Sequence, residues 1–116
     1  MMAKREILQT TDFSDKIKGL LKDHRLNLED FNSFKSVLAE NPEMGAMIPG
    51  TGGVRKTRLK SASKGKRGGF RVCYYFHDVG SGELYLIALY AKNEQENLTS
   101  DEKKELKAFA NTIKRM

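Results

Sequence analysis

Residues 70–91 read FRVCYYFHDVGSGELYLIALYA and contain the clearest structural signal in the chain. Both ends of this stretch are rich in aromatic and β-branched residues, and the glycine-containing segment Asp78–Gly82 between them is typical of a turn. The stretch therefore predicts a β-hairpin. If Asp78 faces Glu83, the register is fixed along both strands and gives one apolar face. This register pairs Arg71 with Tyr90, Val72 with Leu89, Tyr74 with Ile87 and Phe76 with Tyr85.

Around the hairpin, residue spacing predicts three helices and two further strands. Glu6–Thr10 is strand-like, and apolar residues at helical spacing predict a helix directly after it and a second over Leu28–Glu40, which together form a helical hairpin. Alternation with period two predicts a strand over Val54–Lys60. Thr99 and Glu102 form a capping box ahead of a last helix. The predicted order is β-α-α-β-β-β-α, which is an α+β fold.

The size and composition of the chain limit its class. A chain of 116 residues has room for one domain, because folded chains use about 100 to 200 residues per domain. We therefore expect a single domain over residues 1–116. Cys73 is the only cysteine, so no disulfide forms within the chain. With no run of about 18 apolar residues and no apolar stretch near its start, the sequence predicts a cytoplasmic protein without a membrane partner.

Positive charge is concentrated in one segment. The formal net charge is +6, and the segment between Glu43 and Asp78 holds eight of the 21 basic residues and none of the 15 acidic residues. Such a stripe is typical of a protein that binds a polyanion, because each cation that neutralises a phosphate also releases counterions. Within this segment, the candidates for RNA binding are Arg55, Lys60, Lys64, Lys66 and Arg67.

Strand parity predicts that several cations share one face of the sheet: Lys56, Arg58 and Lys60 from the first basic strand, and Arg71 from the hairpin, with Tyr90 and Lys92. RNA is cleaved without a metal when its 2′-hydroxyl loses a proton, the phosphoryl oxygens are stabilised and the leaving 5′-oxygen gains a proton. Crowded cations meet these needs, because neighbouring positive charges lower the pKa of a lysine and guanidinium groups hold phosphate oxygens. The same face also fits plain RNA binding, so the residue types alone leave both functions open.

No metal or nucleotide motif is present. His24, His77 and Cys73 lack the spacing of metal ligands, and His77 lies roughly 20 Å along the strand from Arg71. The glycine-rich segment Ile48–Gly53 lacks the Gly-Lys-Ser/Thr ending of a phosphate-binding loop. We expect no metal and no other cofactor.

Six segments spread over about residues 30 to 110 match a known family: Asn41–Gly45, Ile48–Lys56, Gly65–Val72, Tyr74–Phe76, Tyr90–Glu94 and Asn97–Thr99. In these segments the chain resembles the RelE superfamily of bacterial toxins, specifically its HigB-like branch. The resemblance implies a RelE-like microbial RNase toxin fold, which is a compact α+β fold with a twisted antiparallel sheet and a helical hairpin on one side.

The same resemblance implies the toxin of a type II toxin-antitoxin system. Such a toxin is an endoribonuclease, or mRNA interferase, that enters the ribosomal A site and cuts messenger RNA by metal-independent 2′-hydroxyl attack, which inhibits translation. Its implied partners are messenger RNA, ribosomal RNA and a cognate antitoxin of the HigA or RelB kind.

The catalytic roles also follow from the resemblance, position by position. Lys56 and Arg58 match family residues that serve as base and phosphate contacts, Arg71 matches the arginine that stabilises the transition state, and Lys92 matches a basic residue at the end of the last strand. Tyr90 and Asn93 are candidates for the base or the leaving-group acid, and the choice between these roles stays open.

Two other functions compete with this interpretation. Arg67–Tyr74 approaches the signature of an RNA-recognition motif, which would make the chain a non-catalytic RNA-binding domain, but Gly69 and Arg71 depart from that motif and the element order differs. ParE-like relatives of the same superfamily inhibit DNA gyrase and cut no RNA. The basic sheet face argues against this alternative, because a gyrase inhibitor has no need to crowd cations around Arg71.

Overall fold

The computed structural model describes residues 5–62, 69–80, 82–95 and 97–116. Within these ranges it contains three helices and five strands, and the predicted α+β fold class is confirmed. In chain order the elements are β1 (Ile7–Gln9), α1 (Thr11–Lys22), α2 (Leu28–Glu40), β2 (Ala46–Met47), β3 (Arg55–Leu59), β4 (Phe70–His77), β5 (Glu83–Ala91) and α3 (Ser100–Lys114).

The described strands form one sheet in the order β1-β5-β4-β3-β2. Strands β2 to β5 are antiparallel to their neighbours, as expected, but β1 pairs with β5 in parallel, so the sheet is mixed. The two-residue strand β2 was not predicted from the sequence, because two residues are too few to show an alternating pattern. It pairs with the start of β3 across a turn in which Gly50, Gly52 and Gly53 have positive φ.

The predicted hairpin register is correct at the open end and wrong near the turn. Phe70–Cys73 pair with Ala88–Ala91 as expected, so Arg71 lies opposite Tyr90. Beyond Cys73 the pairing shifts by one residue, which sets Tyr74 opposite Leu86 instead of Ile87 and Phe76 opposite Leu84 instead of Tyr85.

A bulge at Ile87, which has no partner in β4, causes this shift. Successive side chains of a strand point to opposite faces, so one extra residue reverses the parity of everything beyond it. As a result Leu84 and Leu86 on one side of the bulge and Leu89 on the other all reach the same core. Without the bulge, an odd-numbered residue and two even-numbered residues would lie on opposite faces of the strand. The bulge could not be predicted from the sequence because β5 is apolar on both faces.

Both faces of the sheet are covered by helices. On one face, which we call the hairpin side, α1 and α2 pack through Phe13, Ile17, Phe31 and Leu38 against strand residues that include Leu59, Phe70, Val72 and Tyr74. On the other face, the α3 side, Leu106, Ala110 and Ile113 pack against Val54, Cys73 and Tyr75. The predicted helical hairpin on one side of the sheet is thus confirmed, and α3 occupies the opposite side.

A buried tyrosine fixes the loop that leads into β2. The Tyr74 hydroxyl donates to the Pro42 carbonyl at 2.8 Å and accepts from the Gly45 amide at 2.9 Å. A side chain on Gly45 would meet the Lys56 carbonyl at 2.8 Å, so only glycine allows this close approach to β3. The loop is therefore held directly against the strand that carries Lys56.

None of the helices in the described ranges is long and apolar enough to cross a membrane.

Candidate functional site

The sheet register brings four of the predicted site residues together. Arg58 pairs with Arg71, and Arg71 pairs with Tyr90, so these three residues form a row across β3, β4 and β5. Lys56 lies in the adjacent row, opposite Cys73. Directly paired residues have Cβ atoms about 4.5 to 5.5 Å apart, and diagonal neighbours about 7 to 8 Å. We call these four side chains, Lys56, Arg58, Arg71 and Tyr90, the basic face.

The basic face lies on the α3 side of the sheet. Cys73 and Tyr90 both belong to the apolar cluster that packs against α3, and Lys56 and Arg58 share their side of the sheet by register. Arg58 is exposed, whereas Lys56, Arg71 and Tyr90 are half-buried. The face is therefore open to solvent at Arg58 and partly enclosed at Tyr90.

Arg58 and Arg71 place two positive charges directly opposite each other on neighbouring strands. Such a like-charged pair is unfavourable by itself. An anion between two guanidinium groups offsets their repulsion, and the fork geometry of arginine suits phosphate oxygens. The row thus has the chemistry of a phosphate site.

Tyr90 carries a hydroxyl that is buried and lacks a hydrogen-bond partner among the described residues. Burial raises the pKa of Tyr90 above its ordinary value of 10.0, the neighbouring Cys73 and Glu102 add to this increase, and the Arg71 guanidinium acts in the opposite direction. The phenol is therefore protonated at neutral pH. In that state it is a proton donor and not a base.

The segment after β5 is tied to the start of α3 by a small network. The Glu102 carboxylate accepts from the Thr99 amide at 2.8 Å and from the Gln95 side chain at 2.6 Å, and the Glu102 amide donates to the Thr99 hydroxyl at 3.1 Å. The predicted capping box is thereby confirmed. The Thr99 amide, Gln95 and nearby Lys16 lower the pKa of Glu102, which outweighs the opposing effect of desolvation, so this carboxylate is ionised beside the basic face.

Lys92 and Asn93 lie in the turn immediately after β5 and are exposed. The Lys92 amide donates to the Gly69 carbonyl at 3.1 Å, and the amides of Glu94 and Gln95 donate to the Ala91 carbonyl. Both predicted residues are therefore held at the end of the sheet nearest to the row that contains Arg71 and Tyr90.

The structure does not place Arg55 with the basic face. Its guanidinium donates to the carbonyl oxygens of Gly45 at 2.7 Å and Glu43 at 3.1 Å, and its Nη2 lies 3.4 Å from the Glu43 carboxylate. Only 14% of the Arg55 side chain is exposed. Arg55 thus holds the loop before β2, a role that its position in a basic run did not indicate.

The remaining predicted cations divide into two groups. Lys60 is exposed directly after β3, one residue beyond the paired part of the strand. Lys64, Lys66 and Arg67 lie outside the described residues.

Neither His77 nor Cys73 presents a reactive side chain at the basic face. His77 pairs with Glu83 at the turn end of the hairpin, and its ring packs beside that of Tyr75 with centroids 6.2 Å apart. Cys73 is fully buried, and burial raises the pKa of its thiol to about 12. Within the described ranges, His, Cys, Asp and Glu side chains form no group of three or more that could hold a metal ion.

Sequence reasoning missed the role of Glu102 and Gln95 beside the site. The capping-box pattern identified Glu102 as the residue that begins a helix, but no local pattern links it to Tyr90, which precedes it by twelve positions. That proximity arises only because α3 folds back over the sheet.

Three helices, a mixed sheet and a cationic face, as seen in the described parts of the chain, define a small α+β protein that presents positive charge from a sheet surface. The chain belongs to the RelE toxin family, since the family model described as the RelE toxin of the RelE/RelB toxin-antitoxin system matches residues 16–116. The expected resemblance is thereby confirmed at the level of the RelE family. Toxins of this family pair with an antitoxin.

Proposed function

We propose that this chain is a ribosome-dependent endoribonuclease of the HigB-like branch, which cuts messenger RNA in the A site without a metal ion. The observation that carries the proposal is the cross-strand row of Arg58, Arg71 and Tyr90 with Lys56 in the adjacent row. This arrangement combines two phosphate-binding guanidinium groups with an amine and a protonated phenol.

Each chemical requirement of the reaction has a candidate group on this face. The 2′-oxygen attacks phosphorus as its proton passes to a base, for which Lys56 is the candidate. The new 2′-oxygen to phosphorus bond forms as the bond to the 5′-oxygen breaks, and this leaves a 2′,3′-cyclic phosphate. Arg58 and Arg71 stabilise the negative charge on the phosphoryl oxygens during this exchange.

Tyr90 is our candidate for the proton donor to the leaving 5′-oxygen. Its phenol stays protonated at neutral pH because burial raises its pKa, and it lies directly opposite Arg71. Proton transfer from a positioned side chain contributes typically about 100- to 10,000-fold to a rate. Lys92 and Asn93, exposed in the adjoining turn, are our candidates for further contacts to the RNA.

The test is a cell-free translation reaction that contains a defined messenger, followed by primer extension to map its 5′ ends. We expect the wild-type protein to create new 5′ ends only when ribosomes translate the messenger. Arg71→Ala should abolish these ends, and Lys56→Ala or Arg58→Ala should reduce them strongly, with each variant remaining folded.

His77→Ala is the matched control, because His77 lies on the same strand as Arg71 but at the far end of the hairpin. Its cleavage should remain close to that of the wild type. Full cleavage by Arg71→Ala would overturn the site assignment. An intact messenger in the presence of folded wild-type protein would instead favour gyrase inhibition or plain RNA binding.

A further inference from the structure

Helix α3 carries positive charge on one flank and negative charge on the other. Lys103, Lys107 and Lys114 lie within about 40° of one another around the helix axis, because a helix has 3.6 residues per turn. Glu105 lies on the opposite flank by the same spacing. Residues 106–116 contain three basic residues and no acid. The helix therefore separates two surfaces of opposite sign.

The acidic flank of α3 faces a groove beside β5. The first part of this groove has a volume of about 740 Å³ and lies between the start of α1, residues 87–90 of β5 and the first turns of α3. A second part of about 350 Å³ continues past Leu89 and Tyr90, and we call both parts together the edge groove. Its surface repels the phosphates of RNA, because the described residues that line it carry one basic side chain, Lys16, and six acids: Asp12, Asp15, Asp23, Glu94, Glu102 and Glu105.

The basic flank of α3 faces the glycine loop that leads into β3. A Cβ atom on Gly52 would lie 3.3 Å from the Lys114 Nζ and 3.8 Å from both the Asn111 Oδ1 and the Lys107 Cγ. The Lys114 ammonium also donates to the Gly52 carbonyl at 2.7 Å. We call Gly52, Gly53, Lys107 and Lys114 the glycine corner.

The glycine corner offers hydrogen-bond donors that the rest of the described structure does not use. The amides of Gly52 and Gly53, both residues with positive φ, donate to none of the described residues. Lys107 is exposed and forms no ion pair with a described residue. Successive main-chain amides in a turn form concave sites for anions, and neighbouring ammonium groups strengthen such sites. The corner therefore has the chemistry of a phosphate site.

The glycine corner lies on the same side of the sheet as the basic face. Val54, which follows Gly53, packs in the cluster beneath α3, and Lys56 follows two residues later on β3. Gly53 and Arg58 are five positions apart, so their Cα atoms are no more than about 18 Å apart. An RNA strand held by Arg58 and Arg71 therefore reaches the corner by following β3.

We propose that the glycine corner is a second phosphate-binding site, which holds the backbone of the RNA substrate beyond the row of Arg58 and Arg71. The amides of Gly52 and Gly53 donate to phosphoryl oxygens, and the two lysines supply the positive charge. Contacts to phosphates fix the position of a nucleic acid without reading its sequence, so this site sets the register of the strand over the basic face. The inference rests on the proposed function in so far as RNA is the ligand, but it does not require cleavage.

The test measures how the affinity for a short labelled RNA depends on salt concentration. The corner variant carries Lys107→Gln and Lys114→Gln, which remove charge while a glutamine at 114 can still donate to the Gly52 carbonyl. The matched control carries Lys18→Gln and Lys22→Gln on α1, so both variants lose two positive charges. All four lysines are exposed, and none belongs to the basic face.

We expect the slope of log affinity against log salt concentration to become shallower by about 0.7 for the corner variant, which is the contribution of one phosphate contact to a single strand. The control should keep the slope of the wild type. A variant with Lys107→Arg and Lys114→Arg retains the charge and should also keep that slope. Equal slopes for the corner variant and the control, or a slope lost equally in the arginine variant, would overturn the proposal.

Chemical shifts of the Gly52 and Gly53 amides in isotope-labelled wild-type protein provide a second measurement that does not depend on substitutions. Both amides should shift when the short RNA binds. Unchanged glycine amides in the presence of bound RNA would contradict the proposal. A shift produced by inorganic phosphate but not by the RNA would contradict it as well, since the corner would then hold only a free anion.

These measurements contain no ribosome and follow no cut, so they separate the two proposals. RNA bound at the corner of a chain that leaves messengers intact would contradict the proposed cleavage and support the second phosphate site. Ribosome-dependent cleavage by a chain whose glycine amides do not respond to RNA would have the opposite meaning.

Discussion

Tyr90 illustrates how a single residue joins the two surfaces of this protein. Register places it opposite Arg71, burial keeps its phenol protonated, and its other side lines the edge groove. A tyrosine in an apolar strand would ordinarily be interpreted as part of the core. Its function depends on which residues the neighbouring strand sets beside it.

Replacement of Tyr90 by Phe tests its assignment as the proton donor. We expect the single-turnover cleavage rate on ribosomes to fall by about 100-fold or more, because the proton transfer is lost while the ring still packs. Tyr85→Phe is the control, since Tyr85 lies on the same strand and its hydroxyl donates to Glu83 away from the basic face. Wild-type rates for Tyr90→Phe would remove Tyr90 from the mechanism.

Cys73 should be an inert thiol in the folded protein. Burial raises its pKa from 9.0 to about 12, and only the thiolate reacts. Because the native thiol is both fully buried and held in its protonated form, we expect labelling by a thiol reagent at pH 8 to be at least about 100-fold slower for native than for denaturant-unfolded protein. Comparable rates in the two states would mean that the thiol is accessible.

The same shift has a consequence for stability at alkaline pH. The folded thiol keeps its proton to a higher pH than the unfolded thiol, so its contribution to the free energy of unfolding is complete below pH 9.0. That contribution is lost progressively as the pH rises toward about 12.

Hydrogen bonds between β4 and the loop before β2 help to position β3, the strand that carries Lys56. Tyr74 spans this link with two buried hydrogen bonds to Pro42 and Gly45. The alternating pattern of β4 predicts that Tyr74 points into the core. It does not predict that the hydroxyl ends on the backbone of a loop about thirty positions earlier in the chain.

Tyr74→Phe should lower the free energy of unfolding by about 1 to 3 kcal/mol, because the Gly45 amide and the Pro42 carbonyl lose a buried partner. Urea unfolding measures this change. Tyr75→Phe is the control, since its hydroxyl makes no hydrogen bond within the described part of the chain, and we expect a change below about 0.5 kcal/mol. Equal effects of the two substitutions would show that the Tyr74 hydrogen bonds contribute no net stability.

Across the whole molecule, charge separates into a basic sheet face and an acidic groove at the β5 edge. Eight basic residues and no acids lie between Glu43 and Asp78, and the acids that surround the edge groove come from segments outside that stretch. The net charge of +6 therefore understates the positive potential of the basic face. It also conceals a surface of opposite sign.

This separation predicts which cations contribute to the salt dependence of RNA binding. Each phosphate contact to single-stranded RNA contributes a slope of about −0.7 to the plot of log affinity against log salt concentration. We expect Arg58→Ala to reduce the slope for a short labelled RNA by about that amount. Lys18→Ala, which removes an exposed charge from α1 on the hairpin side, should leave the slope unchanged, and an equal change in both variants would argue against a localised phosphate site.

Local chemistry was enough to predict the helices, the main strands and the cations of the basic face. Helix limits such as Leu28–Glu40, the capping box of Thr99 and Glu102, and the pairing of Arg71 with Tyr90 follow from periodicity, capping and turn length. These effects act between residues that are close in the chain or joined by one short turn. They can therefore be derived without knowledge of the rest of the fold.

Long-range packing determined the remaining features. The bulge at Ile87, the parallel pairing of β1, the engagement of Arg55 by the loop before β2 and the approach of Glu102 to Tyr90 all depend on tertiary contacts that periodicity, capping and turn length do not specify. For each of them, several local arrangements satisfy the sequence pattern equally well. The choice among these arrangements depends on burial of Leu84, Leu86 and Leu89 in one core and on how α3 packs over the opposite face of the sheet.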